Sequence, residues 1–431
     1  MQTVTDFLVS FELKNGVENN VELFENYDFS NGEKSCKTQV EYLQNGNKKI
    51  PKYINEYWTA KQRQANPIHE ISYRACFKPQ LPRFFIDLLT KENDVIFDPF
   101  SGRGTTVIEA ALLNRKFIAN DINPLSTILA KPRIKPPTVS EVVERLENIF
   151  ATVNETVSNK KLDCEIDLSM FYHEKTLQEI LFLRNYLIQR KSENKEDYID
   201  EWIRMVATNR LTGHSKGFFS VFTLPPNQAV TQESQKKINI KRNQIPDYRN
   251  VQEIIVNKSK NLLKEIDAQI RKQLFEIAEQ SCFLNQDARN INEIKNDTVS
   301  LTVTSPPFLN IVQYGQDNWL RCWFNGVDAE NISKQIVMAK TTDEWSDFIE
   351  NVFRELHRIT KKDGYIAFEV GEVNNGKVNL EEYVLDVGIK VGLKCLGILI
   401  NTQIFTKTSN IWGINNNSDG TNTNRIVLFM K

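Results

Sequence analysis

Hydrophobic and polar positions change rhythm four times along these 431 residues. The first fifty or so are polar, rich in Asn, Lys and Glu, and read as a peripheral segment. From Ile71 the texture tightens. LPRFFIDLLT (81–90) has the spacing of an amphipathic helix. DVIFDPF (94–100) is a short apolar run of the kind buried on both faces of a parallel sheet. It passes through SGRGTT into the helix VIEAALLNR, then the strand KFIANDI and the short helix NPLSTILAK. Strand–turn–helix–strand–helix predicts a parallel α/β sheet.

The alternation stops at KPRIKPP (131–137), whose prolines block both helix and ladder. From Thr138 to about Glu279 apolar residues recur at three- and four-residue spacing in VSEVVERLENIF, KTLQEILFLRNYLIQR and VNKSKNLLKEIDAQIRKQLFEIA, which predicts helices. GHSKGFFSVFTLPPNQAV, rich in Gly, Pro and aromatics, breaks the run. Strands then return: SCFLNQD, VSLTVTSPPF, YIAFEVGEV, KCLGILINTQIF and TNRIVLFMK, with helices at WSDFIENVFRELHRI and EEYVLDVGIKVG. The expected divisions are a segment 1–70, a first catalytic part 71–134, a helical insertion 135–280 and a second catalytic part 281–431.

Composition narrows the function classes. Hydrophobic residues make up 40% and charged residues 25%, with a formal net charge of -1, so a nucleic-acid surface has to be local. No apolar run is long enough for a bilayer, and the start of the chain lacks the pattern of a secretion signal, which together predict the cytoplasm and no membrane partner. Six scattered Cys and four His give no zinc spacing, so no metal is expected.

Two segments carry chemistry. In DPFSGRGTT (Asp98 to Thr106), Gly102 and Gly104 permit positive φ and a close ligand, and the next helix offers free N–H groups. A phosphate loop needs GxxxxGK, and a dinucleotide turn needs a third Gly; both are missing. S-adenosylmethionine (AdoMet), an amino acid joined to a nucleoside, remains. Asp121, 23 residues after Asp98, is a helix cap or an acceptor for ribose hydroxyls, and the Gly turn favours the second. Asp287 is a turn residue or an acceptor for the adenine amino group; both readings stand.

In Thr304-Ser305-Pro306-Pro307-Phe308, two prolines end a buried strand and stiffen the chain beyond it. The Ser305 side chain and the Pro306 carbonyl are then fixed acceptors for an amino group, turning its nitrogen lone pair outward. They also stabilise positive charge that develops on that nitrogen. Phe308 offers a flat face to a base turned out of a helix. If the two strands flank the point where strand order reverses, methyl donor and acceptor meet.

YRACFKPQLP, DPFSGRGTT, the strand end at Asp121, TSPPF and the loop NNNSDGTNTNR together resemble the amino-methyltransferases of restriction–modification systems, over roughly residues 70 to 135 and 280 to 431. The resemblance implies a Rossmann-like class I methyltransferase fold with a seven-stranded, mostly parallel sheet. It implies transfer from AdoMet to cytosine N4 or adenine N6 in double-stranded DNA, and a companion restriction endonuclease. Ser at the first position of the tetrapeptide favours cytosine N4; adenine N6 and an RNA amino group are the alternatives. The cofactor residues it implies are Lys78, Pro79, Asp98, Pro99, Phe100, Gly102, Gly104, Thr105, Thr106, Asp121, Ile122, Asn123, Asp287 and Ala288. Lys78 is equally readable as a solvated surface residue. The tetrapeptide follows the cofactor motif here, whereas in enzymes with signatures this close it often precedes it. Motif order therefore does not assign the base. A carbon-5 methyltransferase is disfavoured, because no Pro-Cys pair occurs.

DNA contact is expected from the insertion. Residues 214–272 hold eleven Lys/Arg against five acids. Lys216, Lys236, Lys237, Lys241 and Arg242 are the candidate phosphate contacts, and Arg425 in the TNTNR loop is a candidate near the flipped base. His214, Phe218 and Phe219 either reach bases or pack the subdomain.

Overall fold

The computed structural model describes residues 2–11, 38–58, 65–73, 76–156, 162–224, 229–307, 317–336, 339–373, 378–402 and 423–431. Its strands are β1 (Gln39–Asn45), β2 (Lys48–Asn55), β3 (Val95–Asp98), β4 (Lys116–Asn120), β5 (Cys282–Leu284), β6 (Val299–Thr304), β7 (Thr360–Val370), the short pair β8 (Glu372–Val373) and β9 (Val378–Asn379), β10 (Lys394–Thr402) and β11 (Thr423–Met430). All but β8 and β9 form one sheet in the order β1-β2-β10-β11-β7-β6-β3-β4-β5.

Among the described residues the sheet thus has nine strands where seven were expected. The run from β10 to β5 supplies seven, and the hairpin β1–β2 extends it, β2 lying parallel to β10 with Ile398 opposite Lys52. This hairpin gave no sequence signal because β1 alternates between exposed and half-buried positions and so lacks an apolar run. The segment before residue 70 also reaches the core: Phe7, Leu8 and Phe11 of the helix Gln2–Ser10 and its end pack with Tyr57, Trp58 and Phe84.

Strand order reverses at β3. The chain leaves β3 for β4 on one side and later returns to place β6 on the other, both parallel to β3. Two apolar layers cover the sheet. Ile96, Val107, Ile108 and Val303 belong to one, and Phe97, Trp345, Phe353 and Phe368 to the other. β6 is buried at all six positions, as a central parallel strand must be.

Between β4 and β5 the chain is helical: Val139–Thr156, Glu174–Ser192, Tyr198–Arg210, Gln232–Arg242, Val251–Leu262 and Ala268–Ala278. The last belongs with the sheet, since Leu274 and Ile277 join its core and Gln273 Nε2 donates to the carbonyls of Ala111 and Leu112 at 2.9 and 3.1 Å. All the others except Gln232–Arg242 share a core around Trp202 with Tyr73 and with Leu320 and Phe324, which lie on the helix Trp319–Asn325 shortly after the tetrapeptide. Arg184 donates to the Trp323 carbonyl at 3.0 Å, and Asn325 Nδ2 to Thr208 Oγ1 at 2.9 Å. The helical region and the chain after β6 therefore form one packed body. Among the described residues no helix is long and apolar enough to cross a membrane.

Candidate active site

The glycine turn leaves the carboxyl end of β3. Asp98 is buried and accepts from Thr304 Oγ1 at 2.7 Å and from the Phe100 N–H at 3.1 Å, locking the turn to β6. Burial raises its pKa to about 7, against those hydrogen bonds. Gly102 and Gly104 stand at φ 52° and 79°, and Gly104 opens the helix Thr105–Leu112. A β-carbon at Gly104 would lie 2.5 Å from that of Ala130, so the residue is required for close packing as well as for its backbone.

Asp121 follows β4 and braces the same turn. Its two oxygens accept from the N–H groups of Gly102, at 2.8 Å, and Asn123, at 2.9 Å. Burial raises its pKa to about 6. Asn120 ties three segments, donating to the carbonyls of Pro99 and Gln286 at 3.2 and 2.9 Å and accepting from the Gln286 N–H at 3.0 Å.

These loops surround an open pocket of about 740 Å³ at the carboxyl edge of the sheet. Its wall holds Pro99, Phe100 and Gly102 from the first turn, Asp121, Ile122 and Asn123 from the second, Asp287 and Ala288 after β5, and Ser305, Pro306 and Pro307 after β6. The glycine turn and the proline-stiffened segment thus face one cavity, as the motif pair predicted. Asp287 is held below the usual carboxylate range by Arg289, whose Nε lies 2.9 Å away. The Pro307 carbonyl accepts from Trp345 Nε1 at 3.0 Å, and the Ser305 side chain is hydrogen-bonded to Glu369.

Other expected residues stand elsewhere. Gly104, Thr105, Thr106, Lys78 and Pro79 are off the pocket wall, as is Asp98. Thr106 Oγ1 donates to the Val303 carbonyl at 3.1 Å, and Thr105 Oγ1 accepts from Arg103 Nε at 3.1 Å. Pro79 precedes the helix Gln80–Leu89, and Lys78 is half-buried, which lowers its pKa. Phe308 lies outside the described residues. Tyr73, Gln286, Gln335, Ile336 and Phe348 also line the pocket, and neither they nor Trp345 and Glu369 were foreseen. Glu369 had a signal, a lone acid inside the apolar run YIAFEV; the rest are set by packing.

In the helical region, Lys236, Lys237 and Lys241 are exposed on the helix Gln232–Arg242, with Lys236 3.9 Å from Asp167. The Arg242 guanidinium lies 3.8 Å from the centre of the Phe222 ring. Lys216 lines a second open cleft of about 980 Å³ with Arg210, Arg249 and Lys258. Phe218 and Phe219 are buried, so of the two readings they take the packing one. Arg425, expected in a loop, sits in β11 and is paired with the buried carboxylate of Glu381.

The sequence profile of the DNA methylase family matches residues 13–130 and 299–431, more than half of the chain, including the glycine turn and the proline-stiffened segment but not Gln286, Asp287 and Ala288 of the pocket wall. The chain belongs to the DNA methylase family. Similar curated proteins include the type II methyltransferase M.MvaI of Kocuria varians, 22% identical over 74% of this chain and 71% of its own length. Another is M.BsoBI of Geobacillus stearothermophilus, 24% identical over 71% of this chain and 66% of its own length. Among solved structures, a TehB-like SAM-dependent methyltransferase from Corynebacterium glutamicum aligns over 81% of this chain and 86% of its own, at 8% identity and TM-score 0.29. A putative DNA modification methylase from Thermus thermophilus, complexed with S-adenosyl-L-methionine, aligns over 34% of this chain and 53% of its own, at 20% identity and TM-score 0.21. The match leaves out residues 131–298, which span the helical region and β5, so this part of the methylase is the least shared with its family.

Proposed function

We propose that this DNA methylase transfers a methyl group from AdoMet to the exocyclic amino group of a base in DNA, with cytosine N4 as the target. The single observation that carries the reading is the placement of Gly102 and Asp121 on the same pocket wall as Ser305 and Pro306.

The residues present fit the cofactor. The cavity mixes apolar surface (Pro99, Ile122, Phe348) with polar groups that can orient a ligand (Asp121, Asn123, Gln286, Asp287). Gly102 lets a ligand approach the backbone, and the Asp121 carboxylate has acceptor capacity beyond the two N–H groups that it already holds. Gln286 Oε1 is buried without a hydrogen-bond partner among the described residues, an acceptor suited to a ligand's N–H or O–H. Asp121 would hold the ribose hydroxyls, with Ile122, Asn123, Asp287 and Ala288 around the base. When bound, AdoMet supplies an electrophilic methyl on a sulfonium.

The chain's own part is to hold the acceptor. Ser305 and the Pro306 carbonyl take the two amino hydrogens, which aims the nitrogen lone pair and favours the charge that grows on nitrogen. Trp345 fixes the Pro307 carbonyl, and Thr304 ties the segment to Asp98. Ser rather than Asp at position 305 supports cytosine. Duplex DNA would lie along the helical region, and a companion endonuclease is the expected partner in the cell.

The test is incubation of the whole chain with duplex DNA and labelled AdoMet, then digestion to nucleosides. N4-methylcytosine is expected. Label only in N6-methyladenine rejects the base, label only with RNA rejects the polymer, and no transfer rejects the reaction. Ser305→Ala should slow transfer by about 100-fold or more, with cofactor affinity changed by less than about threefold. Equal losses of both would make Ser305 a structural residue.

A further inference from the structure

Four neighbouring strands end in a row of polar side chains on one face of the sheet. Ser305 follows β6, Glu369 is next to last in β7, Asn424 is near the start of β11, and Asn401 is near the end of β10. Register places Phe368 beside Thr304, Ile426 beside Glu369, and Asn401 opposite Asn424. Alternation then puts Ser305 and Glu369 on the face of Val303 and Ala367, which is otherwise apolar core.

Glu369 is only 7% exposed. It accepts from Asn424 Nδ2 at 3.1 Å and is hydrogen-bonded to the Ser305 side chain. The neighbouring charges are spent elsewhere. Arg425, one residue on in β11, is paired with Glu381, which also lies 4.0 Å from Lys52. Asp98 takes the hydroxyl of Thr304, whose side chain belongs to the other face. Asn401 Oδ1 accepts from the N–H groups of Tyr57 and Trp58.

We infer that Glu369 is the positioning residue of the acceptor site: by holding the Ser305 hydroxyl proton, it leaves the Ser305 oxygen able only to accept. This rests on the methyl-transfer reading above. An ionised carboxylate has lone pairs and no hydrogen, so a hydroxyl bonded to it has to donate. A hydroxyl has one hydrogen, and once that is committed only lone pairs face the pocket. Such a site matches an exocyclic amino group, which brings N–H donors, and opposes an oxo group at the same ring position, which brings lone pairs. Glu369 thereby selects amino-bearing bases without touching them.

The arrangement titrates. Burial raises the Glu369 pKa, against the bonds from Ser305 and Asn424. Above that pKa the carboxylate fixes Ser305 as an acceptor. Below it the carboxyl carries its own proton, donates to Ser305, and frees the hydroxyl hydrogen to oppose the amino group. Transfer is therefore lost as pH falls through the pKa of Glu369.

The experiment measures single-turnover methyl transfer to duplex DNA by the full chain across pH, for wild type, Glu369→Gln, Glu369→Asp, Ser305→Ala and Glu369→Gln/Ser305→Ala. Glu369→Gln should slow transfer by about tenfold or more, with cofactor and DNA affinities within about threefold. It should also flatten the acid limb, which separates Glu369 from Asp98 and Asp121. Glu369→Asp should recover part of the rate. In the Ser305→Ala background Glu369→Gln should cost nothing more, since its effect runs through that hydroxyl. Where Glu369→Gln does not fold, the cycle of Glu369→Asp with Ser305→Ala is read by the same criterion. A wild-type rate and acid limb in Glu369→Gln, or an equal fractional loss with and without Ser305, overturns the inference alone. A wild-type chain that transfers no methyl overturns the transferase reading, and this inference with it.

Discussion

Two carboxylates of this site are unlike surface acids. Asp98 has its pKa raised to about 7 by burial, while an unfolded Asp titrates near 4. The native state therefore holds more protons than the unfolded chain between those values. The resulting stability is complete below about pH 4 and lost as pH rises through about 7, where the buried carboxyl is half ionised. Asp98→Asn removes the charge and keeps an acceptor for Thr304 and Phe100, which share one oxygen of Asp98. The thermal midpoint of Asp98→Asn relative to wild type should climb between about pH 4 and pH 7 and level off above. A difference that is flat across that range would mean that Asp98 stays ionised throughout. Asp121 is the second case, raised to about 6, and its two backbone bonds make it a brace for the turn as well as a wall of the pocket.

At the scale of the element, the turn after β3 is the part least tolerant of change. Gly104 combines φ 79° with the close approach of Ala130. Ala at this position meets both the left-handed penalty and a clash against a packed helix, about 2–4 kcal/mol together. Gly217 lies in a bend with no positive φ, and a β-carbon there meets nothing nearer than 3.6 Å. Urea unfolding should therefore show a large loss for Gly104→Ala and less than about 1 kcal/mol for Gly217→Ala. Similar losses at both positions would remove the argument for a shaped turn. Glycine at position 104 is required by close packing as well as by its backbone conformation.

The whole molecule joins a family-matching sheet to a helical body outside the matched segments, and the second cleft belongs to that body. Burial and the charges of Arg210 and Arg133 bring Lys258 down to about 8, against the pull of Glu70, and burial with Arg321 brings Arg210 down to about 10. Cations crowded in this way favour an anion, and a DNA phosphate is the one that the proposed reaction supplies. Lys216→Ala and Lys258→Ala should each weaken DNA binding and lower the slope of log affinity against log salt by about one, with AdoMet affinity unchanged. Unaltered slopes would send the DNA over another surface, with the exposed lysines of the helix Gln232–Arg242 as the next candidates. The sequence by itself determined the alternation of strand and helix, the helical region and both site motifs, because these depend on local spacing, on glycine and on proline. It did not show the hairpin β1–β2, whose signal is a half-buried alternation, nor Tyr73, Trp345 and Phe348, which approach the site from distant parts of the chain, and it marked Glu369 only as a lone acid in an apolar run. Only the tertiary structure decided that the Thr106 hydroxyl donates to the Val303 carbonyl, that Arg425 pairs with Glu381, and that Ser305 and Glu369 come to one face of the sheet. A hydroxyl or a guanidinium takes whichever partner the fold brings within reach, and that partner is not written in its neighbours along the chain.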